Sequence, residues 1–361
     1  MANLFLVSFL ISLTFCFIII FLFNKSLYIG SDHFDGPQKF HDRPTPRIGG
    51  VGIFAAFAVA VLYLMVFKKN SIYLYFFISS LPIFLFGLLE DITRKVAPKI
   101  RLLAAILSGL LVYFLLDVYL TRIGIPYVDN IFHIKVIAVI FTIIGVAGVA
   151  NAINIIDGYN GLASVVSIII FLAIAYVGYK LKDQFVYTIS FLMIGGIAGF
   201  FIWNYPFGKI FLGDGGAYFI GFAMAVLSVH LVKNHPQVSP WFPLLAVIYP
   251  VFEVLFSFYR KKHLKGRSPF QPDGLHFHML IYKRVVPFVF DIHRSEKLMR
   301  NSATSPFLWL ICSFGAIPAV IFWQNTPILV IFTVFFCWFY VWLYRSIVRF
   351  RFGRMIKTLR R

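Results

Sequence analysis

Charged residues and cysteines are scarce in this 361-residue sequence. Asp, Glu, Lys and Arg make up 13% of the chain, against ~25% in soluble domains. The three cysteines, Cys16, Cys312 and Cys337, lie in apolar stretches and form no Cys-x-x-Cys pair, which excludes a disulfide framework and a cysteine zinc site. Long linkers, low-complexity tracts and internal repeats are also missing, so we expect neither a large soluble domain nor a repeat architecture.

Hydrophobic residues, in contrast, are abundant. They make up 60% of the chain, with a mean hydropathy of +0.86, and they form continuous rather than alternating runs, which favours spanning helices over a β-barrel. The runs predict an all-α integral membrane protein, a polytopic bundle of about 10–11 transmembrane helices joined by mostly short loops. The predicted spans are 3–23, 48–67, 72–89, 101–119, 135–150, 162–179, 186–203, 217–233, 241–258, 306–323 and 327–344.

The first span is interpreted as retained, because the first 24 residues contain no Lys or Arg and so lack the basic start of a signal peptide. The chain is interpreted as one domain, 1–361. Its sizeable cytoplasmic loop is 259–304, and a basic cytoplasmic tail covers 345–361.

The basic residues predict the orientation of the bundle. With the N-terminus outside, the inside segments contain 26 of the 33 Lys and Arg residues, so we expect the C-terminus inside. The same bias explains the net charge of +19, and because no nucleic-acid-binding motif is present, we expect no nucleic acid as a partner.

Ten of the fourteen acidic residues also fall inside. Acids contribute little to topology, and this excess indicates a cytoplasmic site that handles cations.

Two segments combine acids with amides or glycines. Asn151, Asn154 and Asp157 recur every three residues, so a helix ended by Gly158 would place them on one face. Asp214 lies between glycines where a span would begin with free N–H groups, and its carboxylate suits a hard cation such as Mg²⁺. The alternative for the first segment is a polar patch that packs against a neighbouring helix, and the alternative for Asp214 is an ordinary turn.

A third segment ends the third span with Glu90 and Asp91, followed by Arg94 and Lys95. Adjacent helical residues diverge by ~100°, so both carboxylates cannot chelate one ion while the helix continues. Pairing at i, i+4 with Arg94 and Lys95 on a solvated face is the alternative.

Two more segments carry basic or imidazole groups. His276 and His278, which follow Asp273, point the same way only in extended backbone; they could bind phosphate or a metal, or transfer protons. Arg47, just before the second span, could clamp phosphate. The alternative for the histidines is a surface loop in which they have no function, and the alternative for Arg47 is a basic residue that only anchors the span by the positive-inside rule.

These segments together resemble the polyprenyl-phosphate N-acetylhexosamine-1-phosphate transferases, of glycosyltransferase family 4 type, in the glycan-initiating branch related to phospho-MurNAc-pentapeptide transferase. The resemblance implies transfer of N-acetylhexosamine-1-phosphate from a UDP-N-acetylhexosamine to polyprenyl (undecaprenyl) phosphate, with release of UMP and with Mg²⁺. It also implies a bacterial inner membrane and contacts with membrane lipid, and it leaves Mn²⁺ and a homodimer open. The matching segments are PTPRIGG (44–50), GLLED (87–91), NAINIIDGYNGL (151–162), FLGDGG (211–216) and PDGLHFH (272–278).

The resemblance further implies roles for individual residues. Asp214 and Asp91 match the metal position, and the catalytic positions are Asp91, Asp157, His276 and His278. Phe211 matches an aromatic residue that stacks on uracil. The substrate-binding positions are Arg47, Arg94, Lys95, Asn151, Asn154, Asn160, Phe211 and Asp273.

The sequence departs from the family pattern at three places. Glu90-Asp91 stands where two aspartates are usual, so we assign the essential role to Asp91. Asn160 replaces a second aspartate, and Gly274-Leu275 replaces a charged pair.

Two other functions stay open. One is the peptidoglycan branch, which uses UDP-muramyl-pentapeptide. The other is an anionic-solute transporter, which would require ionisable residues near the bilayer midplane; only Glu253 lies well inside a span, near its cytoplasmic end.

Overall fold

A computed structural model describes residues 2–25, 44–264, 275–290, 292 and 296–349. Within them the secondary structure is helical, and the predicted all-α polytopic class is confirmed. The helices are α1 (Ala2–Asn24), α2 (Gly50–Lys68), α3 (Ile72–Thr93), α4 (Pro98–Leu116), α5 (Lys135–Ile156), α6 (Leu162–Lys180), α7 (Gln184–Asn204), α8 (Gly213–Asn234), α9 (Trp241–Ala246), α10 (Ile248–Tyr259), α11 (Phe277–Leu280), α12 (Val286–Phe290), α13 (Lys297–Ile321) and α14 (Thr326–Val348).

Ten of the helices in the described ranges are long and apolar enough to cross a membrane, and each corresponds to a predicted span. The span predicted over 241–258 is different, because it is not one helix: α9 ends at Ala246 and α10 begins at Ile248. Pro250 lies just after this break. Its ring nitrogen carries no proton, so it cannot donate to the carbonyl of Ala246 one turn earlier.

Helix α8 lies at the centre of the bundle. It packs against α2, α3, α5, α6 and α7, and 89% of its most apolar stretch is buried, against 17% for α1. Where α3 meets α8, a Cβ on Gly87 would lie only 2.7 Å from the Cα of Gly215. The two backbones are therefore in direct contact, and the end of α3 is fixed against the start of α8.

The helix ends that carry the motifs extend beyond the predicted spans. α8 begins at Gly213 rather than 217, α5 continues to Ile156 rather than 150, and α13 begins at Lys297 rather than 306. The added turns contain polar residues. A prediction from apolar runs stops at such residues, although the helical backbone continues through them. Asp91, Asn154 and Asp214 therefore lie in the end turns of helices, whereas Arg47 and Asp157 lie just outside them.

The predicted orientation can be tested by labelling single cysteines in a background without the three native ones. Lys180 ends α6 and Lys95 follows α3, and both side chains are exposed. A membrane-impermeant maleimide added to intact cells should label Lys180→Cys and should label Lys95→Cys only after permeabilisation. The reverse pattern, or labelling of both variants in intact cells, would contradict the orientation.

Candidate active site

The segment 44–50 is joined to the start of α8 by backbone hydrogen bonds. The N–H of Phe211 donates to the carbonyl of Pro46 (2.8 Å), and the N–H groups of Gly49 and Gly50 donate to the carbonyls of Phe211 (2.9 Å) and Leu212 (2.8 Å). These bonds connect residues more than 160 positions apart. They fix Arg47, which lies between the bonded residues, beside the first turn of α8.

Gly213, the first residue of α8, has a backbone conformation that requires glycine. Its φ is +78°, in the left-handed region that L side chains rarely adopt. A Cβ at this position would also overlap the carbonyl oxygen of Arg47 and lie 2.5 Å from Oδ2 of Asp91. Segment 44–50, the end of α3 and the start of α8 therefore meet at this glycine.

Asp91 caps α8 from a neighbouring helix. Its Oδ1 accepts the N–H of Asp214 (2.8 Å) and its Oδ2 accepts the N–H of Gly215 (2.9 Å), two of the amide groups that a helix start leaves without an intrahelical partner. Only 1% of the Asp91 surface is exposed. The buried carboxyl group faces the positive end of the helix dipole and lies 3.5 Å from a guanidinium nitrogen of Arg47.

Asp214 is surrounded by hydrogen-bond donors from three parts of the chain. Its Oδ1 accepts from Arg47 (3.0 Å) and from the side-chain amide of Asn154 (3.0 Å), and its Oδ2 accepts from Arg101. Asn154 comes from the last turn of α5 and Arg101 from the first turn of α4. The structure thus brings together three of the predicted residues, Arg47, Asn154 and Asp214.

Arg101 was not among the predicted site residues. It hydrogen-bonds Asp214 and lies 3.4 Å from the hydroxyl of Tyr218. The sequence does contain a signal for Arg101: a charged side chain near the start of an apolar span is costly to place in the membrane and is usually retained for a function. Arg94 and Lys95, which were predicted to bind substrate, are exposed beyond the end of α3.

Asp157 follows the last residue of α5 rather than lying within the helix. Burial raises the pKa of its carboxyl to about 7, Arg47 opposes this increase, and the negative charge of Asp214 adds to it. In the described part of the chain no hydrogen bond reaches the Asp157 carboxylate. Asp157 and Asp214 are therefore close enough to influence each other electrostatically, and Asp157 still has acceptor capacity.

Glu90 is close enough to Arg101 for an electrostatic interaction, but its hydrogen bond in the described residues goes elsewhere. Its Oε2 accepts the N–H of Val96 (2.8 Å) and so stabilises the turn after α3. The different environments of Glu90 and Asp91 follow from their ~100° separation around the helix axis. The essential role assigned to Asp91 stays a prediction, and the geometry places Asp91, not Glu90, beside Asp214.

A cavity of about 990 Å³ adjoins the cluster. Its walls are mostly apolar side chains of α4, α5 and α10, and its polar end includes Arg101 and Asn154 together with Asn151, Lys261 and His276. Two predicted residues, Asn151 and His276, are thus placed on the cavity wall. The polar and apolar parts form one continuous space.

The two predicted histidines lie together next to the end of α5. Their rings stack with centroids 5.3 Å apart, and Nε2 of His278 is 3.8 Å from the position that a Cβ of Gly158 would occupy. Burial lowers the pKa of His278 to about 4, although the nearby Glu253 carboxylate raises it. His278 is therefore neutral at pH 7.

Two of the predicted substrate-binding residues, Asn160 and Phe211, make hydrogen bonds to or through the backbone. Asn160 is buried; its side-chain amide donates to the carbonyl of Pro206 (3.0 Å) and its N–H donates to Asn301 (2.8 Å). Phe211 is half-buried and pairs through its backbone with segment 44–50. Their contacts with a nucleotide stay predictions. Asp273 lies outside the described residues.

The carboxylates of this cluster fit a hard divalent cation. The described ranges contain no group of three His, Cys, Asp or Glu side chains arranged to hold an ion by themselves. Mg²⁺, however, is commonly bound by one or two carboxylates together with phosphate oxygens and water. Asp157 accepts no hydrogen bond in the described residues, and Oδ2 of Asp214 accepts from Arg101 alone, so both carboxylates keep lone pairs for a cation. The two oxygens of Asp91 each accept one backbone N–H and hold the start of α8.

Substitution of Gly213 tests the packing at the start of α8. Gly213→Ala should lower the thermal unfolding midpoint in detergent, because the left-handed conformation costs a β-carbon ~1–2 kcal/mol and the added atom overlaps Arg47 and Asp91. Gly145→Ala is the matched control: no atom lies within 4 Å of its added Cβ, and alanine favours a helix interior. Equal midpoints for the two variants would contradict this packing.

The raised pKa of Asp157 predicts a pH-dependent stability. Between pH 4 and pH 7 the unfolded chain ionises this carboxyl while the folded protein keeps its proton, so the folded state binds more protons and loses stability as the pH rises. Asp157→Asn removes this effect. The unfolding midpoint of the variant minus that of the wild type should increase from pH 5 to pH 8 in metal-free buffer; a constant difference would contradict the prediction.

Comparison with known proteins places this site in a family. The family model described as glycosyl transferase family 4 matches residues 73–232, which run from the start of α3 to near the end of α8 and include Asp91, Asp157 and Asp214. A Pasteurella multocida protein named undecaprenyl-phosphate alpha-N-acetylglucosaminyl 1-phosphate transferase is 31% identical over 90% of this chain and 88% of its own length. A Thermotoga maritima protein of the same name is 30% identical over 69% of this chain and 72% of its own.

A second kind of relative matches as well. A Lactobacillus gasseri protein named phospho-N-acetylmuramoyl-pentapeptide-transferase is 28% identical over 74% of this chain and 86% of its own length. The resemblance expected from the five motifs is confirmed: this chain belongs to glycosyl transferase family 4.

Proposed function

We propose that this protein transfers N-acetylhexosamine-1-phosphate from a UDP-sugar to polyprenyl phosphate and releases UMP, at the cytoplasmic side of a bacterial inner membrane. The observation that carries the proposal is the continuity of the 990 Å³ cavity: an apolar wall leads directly to cationic and amide groups, of which Arg101 and Asn154 bond the Asp214 carboxylate. A lipid phosphate needs an apolar space for its tail and a charged space for its head, and the cavity offers both.

The apolar wall supports a lipid acceptor. Leu102 of α4 and Ile140 and Ile144 of α5 line the cavity, lie in helices long enough to span a membrane, and are 54%, 48% and 61% exposed respectively. The cavity is therefore open toward lipid between these helices. A prenyl chain could enter from the bilayer without leaving an apolar environment.

The polar end supports binding of the acceptor phosphate. A phosphate monoester has a second pKa of ~6 and is largely dianionic at pH 7. Arg101 and Lys261 contribute positive charge there, and His276 contributes a hydrogen-bonding imidazole. Fixed cations in a partly desolvated site stabilise such an anion more strongly than they would in water.

The transfer needs little proton chemistry. A phosphate oxygen of the acceptor attacks the β-phosphorus of the UDP-sugar, the bond from that phosphorus to the bridging oxygen breaks, and UMP leaves with that oxygen. Because the attacking oxygen is already ionised, the protein mainly brings two anions together and offsets their charge. Arg47 and Arg101, which flank Asp214, are placed to do this.

Mg²⁺ is part of the proposal, with Asp214 and Asp157 as the residues that would hold it; when bound, it would neutralise charge on the diphosphate as a Lewis acid. Asp91 keeps the first turn of α8, and hence Asp214, in place. Asn154 orients the Asp214 carboxylate through its amide. The uracil contact of Phe211 and the diphosphate contacts of the histidines belong to the same proposal.

A donor panel tests the reaction. Purified protein with undecaprenyl phosphate and Mg²⁺ should release UMP and form a lipid-linked sugar from UDP-N-acetylglucosamine or another UDP-N-acetylhexosamine. Turnover of UDP-muramyl-pentapeptide alone would assign the peptidoglycan branch instead. No UMP from any donor, together with solute uptake in proteoliposomes, would contradict the proposal.

Asp214→Asn tests the proposed centre of the site. The amide removes the negative charge that faces Arg47 and Arg101, so we expect turnover to fall by at least ~10²-fold, as for loss of one essential charge-stabilising group. Asp117→Asn is the matched control, because this acid lies after α4, at the opposite end of that helix from Arg101, with its side chain 69% exposed. Unchanged turnover in Asp214→Asn with folded protein would remove Asp214 from the reaction.

A further inference from the structure

Glu253 is a buried carboxylate that the proposed reaction does not use. It lies in α10, in the segment broken near Pro250, and is only 1% exposed. An acid inside a membrane span is costly and usually has a function. Its two oxygens face different parts of the chain, so the contacts of each indicate what it does.

One oxygen faces the histidine segment. Oε1 accepts the N–H of Phe277 (2.7 Å) and lies 3.3 Å from Nδ1 of His276 and 3.8 Å from Nδ1 of His278. The other oxygen, Oε2, accepts the hydroxyl of Tyr340 (2.7 Å). The carboxylate thus lies directly behind both imidazoles.

The imidazoles depend on this carboxylate for a partner. In the described part of the chain, both Nδ1 atoms are buried and neither makes a hydrogen bond of good geometry. Glu253 is the anion that faces both of them. A carboxylate in this position holds the proton on Nδ1 and leaves Nε2, on the far side of the ring, as the atom that meets a ligand.

The far side of the rings points toward the site. His276 lines the cavity, and Nε2 of His278 lies beside Gly158, the residue after Asp157. The ring of Tyr159 packs edge-on against His278 with centroids 5.6 Å apart, so the ring cannot turn freely. Glu253 therefore lies at the Nδ1 edge of both rings, and the opposite edges, which carry Nε2, face the site.

We propose that Glu253 is a positioning residue for the transfer reaction, which orients His276 and His278 through their Nδ1 atoms so that both Nε2 atoms are presented to the substrate phosphates. The inference rests on the proposed function. It gives the histidines a defined tautomer, and it accounts for a buried acid in a broken span without requiring transport.

The first test is a comparison of two variants in the transferase assay. Glu253→Gln keeps the size of the side chain but removes its charge, and should lower kcat about 10–100-fold with KM for the UDP-sugar within about twofold. Tyr344→Phe is the matched control: Tyr344 donates to the carbonyl of Leu275 in the same segment (3.1 Å), and its ring pairs with that of Phe277. It should keep kcat within about twofold of wild type.

A double-mutant cycle separates positioning from a structural role. In a His276→Gln/His278→Gln background, Glu253→Gln should cause no further loss of kcat, because the groups through which it acts are gone. If Glu253→Gln lowers kcat by the same factor in this background as in the wild type, the inference is overturned. An unchanged kcat in Glu253→Gln alone would overturn it as well.

Folding is checked by the thermal unfolding midpoint of each purified variant. If Glu253→Gln does not fold, Glu253→Asp takes its place. Aspartate keeps the negative charge but is one methylene shorter, so the carboxylate lies farther from the imidazoles and kcat should fall by a smaller factor. This loss of kcat should also disappear in the His276→Gln/His278→Gln background. A wild-type protein that forms no product with any UDP-sugar would instead overturn the proposed function, and the inference with it.

Discussion

The candidate active site depends on one interaction, the capping of α8 by the buried carboxylate of Asp91. The first turn of a helix presents amide groups without intrahelical partners, and in the interior of a membrane protein these must be satisfied by the protein itself. Asp91 satisfies two of them. Because the cap comes from α3, it also fixes the position of Asp214 relative to Arg47 and Arg101, which approach from two other parts of the chain.

The arrangement of the bundle explains why polar chemistry is possible in so apolar a chain. α8 is surrounded by other helices along its length, so its first turn opens into a protein-lined space rather than into lipid. Charges placed there compensate one another: the acids of α3 and α8 face the arginines before α2 and at the start of α4. The lipid-facing wall between α4 and α5 is left apolar. Membrane lipid and charged groups can therefore meet at one cavity.

Much of this could be predicted from the sequence, and the limits of prediction have physical causes. Continuous apolar runs identify spans because a helix in lipid must satisfy its own backbone, and ten of the eleven appear as single long helices. The break near Val247 was not predicted, because the proline that causes it lies within an apolar run. Arg101 was missed because a lone arginine at the start of a span looks like a topology signal. The partners of Glu253 come from segments more than twenty residues away, and no local pattern reveals such contacts.

The central claim is that a lipid phosphate and a soluble nucleotide sugar meet beside Asp214 at one end of α8. The most direct measurement is an experimental structure of the protein with UMP, Mg²⁺ and a prenyl phosphate. The account predicts the prenyl chain along α4 and α5, its phosphate near Arg101 and Lys261, and the cation on Asp214. Phosphate bound at the opposite end of α8, or a prenyl chain elsewhere on the bundle, would contradict it.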